Sequence, residues 1–254
     1  MSVLLALLLP WPLSAPAILE VHVGSKQFTE SVILGEIGTD MLRHVGVAAV
    51  HQAELGGTRT LWSALVRGDI DVYPEYTGTL AQEILREESS TGPRALQAAL
   101  RRQGIRMSKP LGFNNTYAIG MPRERAKQLG IRTISDLASH PELQFGFSNE
   151  FMDRADGWPG LRARYALPQT DVRGLDHDLA YRGLEAGDID VTDLYATDAE
   201  IRYYDLTVLK DDRAYFPNYE AVWLYRAGLT QEAPTAVAAL QRLQGRISRS
   251  EMAS

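Results

Sequence analysis

The run GDIDVYPEYTGT, Gly68 to Thr79, reads as a turn glycine, a short strand over Ile70, Asp71, Val72 and Tyr73, a break at Pro74, and a loop rich in Tyr and Thr. A near copy, GDIDVTDLYATD, runs from Gly187 to Asp198. The offset is 187 − 68 = 119 for the glycines and 195 − 76 = 119 for Tyr76 and Tyr195. A helical pattern precedes each copy, LWSALVRG before the first and AYRGLEAG before the second. Two readings are open. The copies are two ordinary helix–Gly–strand corners with good turn chemistry, or they mark two similar α/β lobes. In the second case each lobe ends a strand with a tyrosine aimed at one gap, and ligands of open α/β sheets bind beyond the carboxyl ends of strands.

The chain has 254 residues, enough for one large domain or two lobes of ordinary size. Its 45% hydrophobic and 23% charged content suits a globular protein with a real core. The formal net charge is −6, and no basic or basic–aromatic patch stands out, so nucleic acid is not an expected partner. The absence of cysteine excludes disulfides and thiolate metal sites. The five histidines show no metal spacing. No cofactor and no metal are expected.

Residues 1–17 read as a secretory signal peptide: Val3 to Leu9 is uniformly apolar and Ala15-Pro16-Ala17 resembles a cleavage site, although no Lys or Arg stands near Met1. Ile18 to Val23 alternates as a strand does. Thr29 is placed to cap a helix whose apolar face is Ile33, Leu34, Ile37, Met41 and Leu42. A strand over Val47 to Ala53 and a helix opened by Gly56-Gly57-Thr58 follow, giving β-α-β-α-β and a largely parallel sheet. Leu80 to Gln103 reads as helical, broken from Ser89 to Pro93. Asn114-Asn115 reads as the crossover to a second lobe that begins with a strand at Tyr117. Strands over Leu143 to Phe147, at Val172 and over Leu206 to Leu209 alternate with helices, with SNEFMDRADGWPG as a polar loop. Ala221 to Tyr225 returns to the first lobe, and Gln231 to Arg246 is a final helix. The expected division is 18–112 for lobe 1, 113–216 for lobe 2, and 217–254 for the return. Lobes joined by crossing strands rather than a flexible linker imply a hinge.

These residues resemble one family. VGSKQFTES, LGGT, VYPEYTGT, NNTYA, FGFSNEFMDRADGWPGL, DLYATDAEI and FPNY, in that order between Val23 and Tyr219, are similar to the substrate-binding proteins of osmoprotectant importers of the ATP-binding cassette class. The resemblance implies an α/β, two-lobed, type II periplasmic-binding-protein fold. Each lobe is a mostly parallel sheet flanked by helices, and the ligand cleft lies between them. The solute implied is glycine betaine, choline or carnitine, delivered outside the cytoplasm to the transmembrane permease, by a monomer. Carried over by motif, the quaternary ammonium sits in a box of Tyr76, Tyr117, Tyr195 and Tyr219, completed by a backbone carbonyl near Asn115. Lys26, Thr79 and Arg154 meet the carboxylate of a betaine. The chain stops at Ser254 where members of the family usually continue with more helix.

The implied chemistry is self-consistent. A trimethylammonium group has no N–H to donate, and its diffuse charge suits the negative faces of aromatic rings, at roughly 0.5–2 kcal/mol per contact. Neutral rings also discriminate against Na⁺ better than carboxylates do. An Arg fork with a Lys suits a carboxylate. Against this, a tyrosine at a strand end serves packing more often than binding, and Arg154 among Glu150, Asp153 and Asp156 has the look of a loop ion pair. A hydrolase would need a nucleophile–base pair, which is not evident, and Asp71 and Asp190 read as turn and hinge hydrogen bonders. A sensor module of the same fold is the other alternative.

Overall fold

The structure, a computed structural model, describes residues 19–86 and 92–252. The expected leader at 1–17, Ile18 and most of the break before Pro93 lie outside those residues. One sheet contains β1 (Val21–Gly24), β2 (Ala49–Gln52), β3 (Val72–Tyr76), β4 (Ile105–Met107) and β10 (Ala221–Arg226), in the order β2-β1-β3-β10-β4. A second contains β5 (Tyr117–Pro122), β8 (Thr192–Tyr195) and β9 (Leu206–Leu209), in the order β8-β5-β9. The parallel pair β6 (Phe145–Ser148) and β7 (Val172–Leu175) joins it through the Phe145↔Val191 bridge. Read across that bridge, the second order is β7-β6-β8-β5-β9.

The two orders are the same topology. In each, three strands of βαβ type run parallel and a fourth, next to the crossover, runs antiparallel to both its neighbours. Asn114 and Glu220 form an antiparallel bridge between the two crossing segments. The Asn115 N–H donates to the Tyr219 carbonyl at 3.0 Å, and the Ala221 N–H to that of Phe113 at 3.2 Å.

The repeated GDIDV corners have one hydrogen-bond scheme. Gly68 and Gly187 end their helices in the left-handed region, at φ 84° and 77°, where a side chain would be strained. Asp71 donates its N–H to the His22 carbonyl and accepts the His22 N–H on its carboxylate, both at 2.8 Å. Asp190 does the same with Gln144, at 2.7 and 2.9 Å. Each aspartate also holds an arginine, Arg226 and Arg125 respectively. These aspartates therefore brace corner to neighbouring strand, as the turn reading expects.

Several local expectations are corrected. Pro74 does not break its strand; β3 runs on to Tyr76. Trp223, opposite Pro74, directs its N–H and carbonyl to Ser108 on the far side, so Pro74 is at a position with no bond to β10. The pairing with β1 is at Val72, two residues before the proline. Helix α1 (Thr29–His44) is preceded by Phe28, not capped by Thr29. Its buried face is Leu34, Gly35, Gly38 and Leu42, whereas Ile33 is exposed. The two glycines let α1 come close to the His51 and Trp223 side chains, which a Cβ would meet at 2.3 and 2.8 Å. Asn149–Asp153 is a short helix inside the expected polar loop, with Ser148 capping it through the Phe151 N–H. The expected last helix is divided at Pro234 into Leu229–Glu232 and Pro234–Gln241.

Candidate functional site

Strands β3 and β8 end at Tyr76 and Tyr195, and both side chains reach the space between the sheets. Tyr117 starts β5 and lies directly opposite Tyr195 in the antiparallel ladder, which sets their ring centroids 5.1 Å apart. Tyr219, on the returning crossover, meets Tyr117 edge-on at 5.6 Å and 88°. These four rings, with Lys26, Thr79, Asn115 and Arg154, line one narrow cavity of about 20 Å³. All eight residues named from the sequence are thus brought together. Burial drives every one of the four phenol pKa values up, so the rings remain neutral across the physiological range.

Phe28 and Glu150 also line this cavity and were not among the named residues. Phe28 stands between the two repeat tyrosines, with ring centroids 4.9 Å from Tyr195 and 6.1 Å from Tyr76. Its position, two residues past Lys26 in GSKQFTE, is the only sequence signal for it.

At the cationic end both donors carry their own counter-charges. Lys26 Nζ donates to Glu75 Oε1 at 2.7 Å and to Thr58 Oγ1 at 2.9 Å. Thr58 donates in turn to Glu150 Oε1 at 2.7 Å, across the gap between the sheets. Arg154 clasps Asp156 in a fork, at 2.7 and 2.6 Å, and reaches Glu150 at 3.4 Å. Tyr219 OH donates to the same Asp156 at 2.5 Å. The ion-pair reading of Arg154 and the cavity-lining reading therefore both hold. Lys26 and Arg154 also lie over the Tyr76 and Tyr117 rings, at 5.7 and 5.4 Å from the centroids. Burial works against the Glu150 carboxylate, but Lys26 and Arg154 outweigh it and hold its pKa below the ordinary range.

Behind the rings sits Glu30, in the first turn of α1. It accepts from Tyr76 OH at 2.5 Å, from Asn115 Nδ2 at 3.0 Å, and from the Thr197 hydroxyl. Asn115 thus uses its side chain to tie the crossover to α1, and its Oδ1 accepts the Thr197 N–H at 3.3 Å. Burial raises the Glu30 pKa, partly offset by those donors. On the other side His177 packs on Tyr195 with centroids 4.5 Å apart and bonds Asp198 at 3.0 Å. A wider cleft of about 430 Å³ shares Lys26, Phe28, Glu150 and Tyr195 with this cavity and is lined from both sheets by Gly56, Gly57, Asn149 and Asp176 among others.

Two sheets of one topology, joined by paired crossings, with a ring-lined cavity at the strand ends between them, define a two-lobed solute-binding protein of the type II periplasmic class. Residues 20–254 match the family described as the substrate binding domain of ABC-type glycine betaine transport systems, and the chain belongs to that family. A glycine-betaine-binding protein of Pseudomonas aeruginosa is 33% identical over 84% of this chain and 74% of its own length. An ergothioneine transport permease/ergothioneine binding protein of Helicobacter pylori is 34% identical over 89% of this chain, which spans 42% of that longer relative. Among solved structures, a glycine betaine/carnitine/choline ABC transporter protein superposes with a TM-score of 0.73 at 30% identity, covering 92% of this chain and 89% of the other. Lactococcal OpuAC in its closed, glycine-betaine-bound form superposes with a TM-score of 0.70 over 92% of this chain and 87% of its own; at 13% identity it speaks for the fold.

Proposed function

We propose that the chain captures a quaternary-ammonium solute in a cage of Tyr76, Tyr117, Tyr195 and Tyr219 and presents it to an ABC permease outside the cytoplasm. The observation that carries this is the convergence of four neutral phenol rings, from both sheets and the returning crossover, on one cavity. Four cation–π contacts at roughly 0.5–2 kcal/mol each supply several of the roughly 8 kcal/mol that micromolar binding needs. Burial of the solute's methyl groups supplies more.

The lobes divide near residues 112 and 216, where the paired crossings act as the hinge. Admission of solute opens that hinge and parts the Thr58–Glu150 and Glu30–Thr197 bonds; solute then favours the closed form by its contacts with both lobes. Among the described residues no helix is long and apolar enough to cross a membrane. Export by a leader at 1–17 and action as a monomer complete the reading. The cleft serves capture rather than hydrolysis, in keeping with the family's role in transport.

Calorimetric titration with choline, glycine betaine, carnitine, proline betaine and ergothioneine tests it. Micromolar binding of at least one of them, lost in Tyr76→Ala and in Tyr195→Ala, is expected. Affinity unchanged in both variants would remove the cage.

A further inference from the structure

A zwitterionic betaine needs fixed cations whose charge is not already answered. Here Lys26 is answered by Glu75, and Arg154 by Asp156. Glu75 and Asp156 stand behind their cations, but Glu150 lines the cavity itself. Its Oε1 lies 2.7 Å from Thr58 Oγ1, the hydroxyl that Lys26 also holds, and 3.4 Å from Arg154 Nη1. It thus stands between the two cations, where a solute carboxylate would have to sit. Lys26 and Arg154 against Glu75, Glu150 and Asp156 is two positive charges against three negative, a balance of −1 before Glu30 is considered. A quaternary cation brings that balance to zero. A zwitterion leaves it at −1 and adds a fourth carboxylate beside the other three, among largely buried groups where like charges are less screened than in water. The cleft outside carries Glu54, Asp176 and Asp178 against Lys26 and His177, a field that concentrates cations.

We propose that Glu150 sets the charge of the solute: the cavity favours a quaternary ammonium of net positive charge, of the choline type, over one bearing a free carboxylate. This rests on the cage reading above and adds a specificity-determining residue to it. Glu150 acts as a built-in counter-carboxylate, occupying the cations that a betaine would otherwise recruit.

The test is calorimetry of choline, glycine betaine and tetramethylammonium on the native chain and on Glu150→Gln. The native chain is expected to bind choline at least tenfold tighter than glycine betaine, and Glu150→Gln to shrink or reverse that ratio by tenfold or more. Glycine betaine bound as tightly as choline by the native chain would overturn the proposal, and that comparison needs no variant to fold. A ratio unchanged in a folded Glu150→Gln protein would overturn the role of Glu150. If none of the three binds but the zwitterions carnitine, proline betaine or ergothioneine do, the charge preference is overturned while the cage stands; if none of these solutes binds the native chain, the cage reading itself falls.

Discussion

The Tyr219 ring packs against Gly78, so close that a Cβ on Gly78 would come 2.5–2.8 Å from three of its ring carbons. Gly78 sits in the short turn of helix that follows β3, directly after Tyr76, so the repeat-bearing strand and the returning crossover meet there without a side chain between them. Gly78→Ala has no backbone strain to face, because this glycine is not in the left-handed region. The ring must move instead. We expect solute affinity to fall about tenfold or more, with a stability loss of about 1–3 kcal/mol from overpacking. Calorimetry and urea unfolding of the one variant check both.

The rings contribute unequally when only a hydroxyl is removed. Tyr76 OH is a donor to buried Glu30, whereas the ring face is what a cation would meet. Tyr76→Phe should therefore keep most of the affinity and lose about 1–3 kcal/mol of stability as Glu30 loses a donor. Tyr76→Ala should lose affinity by tenfold or more. Titration and thermal unfolding of the two variants separate ring from hydroxyl.

Arg154 and Asp156 are both nearly inaccessible, at 4% and 6% exposure, and their fork is part of the wall. Removing the guanidinium strands Asp156 and deprives Glu150 of a cation. Arg154→Ala is expected to lower stability by about 3–5 kcal/mol. Asp156→Asn in the same chain should recover part of that loss, and a double-mutant cycle in urea gives the coupling.

His177 supplies a pH dependence. Burial opposes its charged form, but Asp198, Asp193 and Asp178 outweigh that and raise its pKa from 6.5 to about 8. The folded value exceeds the unfolded one, so the stabilisation is complete below about pH 6.5 and lost as pH rises through about 8. The shift corresponds to about 2 kcal/mol at most. Urea midpoints measured from pH 6 to pH 9 should fall across that window, and His177→Gln should flatten the slope. A slope unchanged in the variant would assign it to other groups.

How much of this could be read beforehand follows from the range of the interactions. The two GDIDV corners were legible because turn chemistry is local: a left-handed glycine and an aspartate bonded to the adjoining strand repeat in both sheets. The strand at Pro74 was not legible, because its tolerance depends on where Trp223, 149 residues further on (223 − 74), directs its N–H. The face of α1 was misjudged for a similar reason. Gly35 and Gly38 look like weak helix residues until His51 and Trp223 are seen against them. Tyr76 and Tyr195 were pointed to by the repeat itself; the other six lining residues came from the resemblance rather than from periodicity. The Arg154–Asp156 pair, two residues apart, was legible as a loop ion pair, whereas the Lys26–Glu75 pair was not, because its partners are 49 residues apart in sequence.

The claim on which the account turns is that the cage holds a positive charge by ring faces and not merely a ball of methyl groups by shape. Choline and 3,3-dimethyl-1-butanol share that shape and hydroxyl, and differ in whether nitrogen or carbon stands at the centre. Side-by-side calorimetry of the two on the native chain should give choline an affinity at least about thirtyfold greater, which is about 2 kcal/mol of charge recognition. Equal affinities, or tighter binding of the neutral alcohol, would contradict the account.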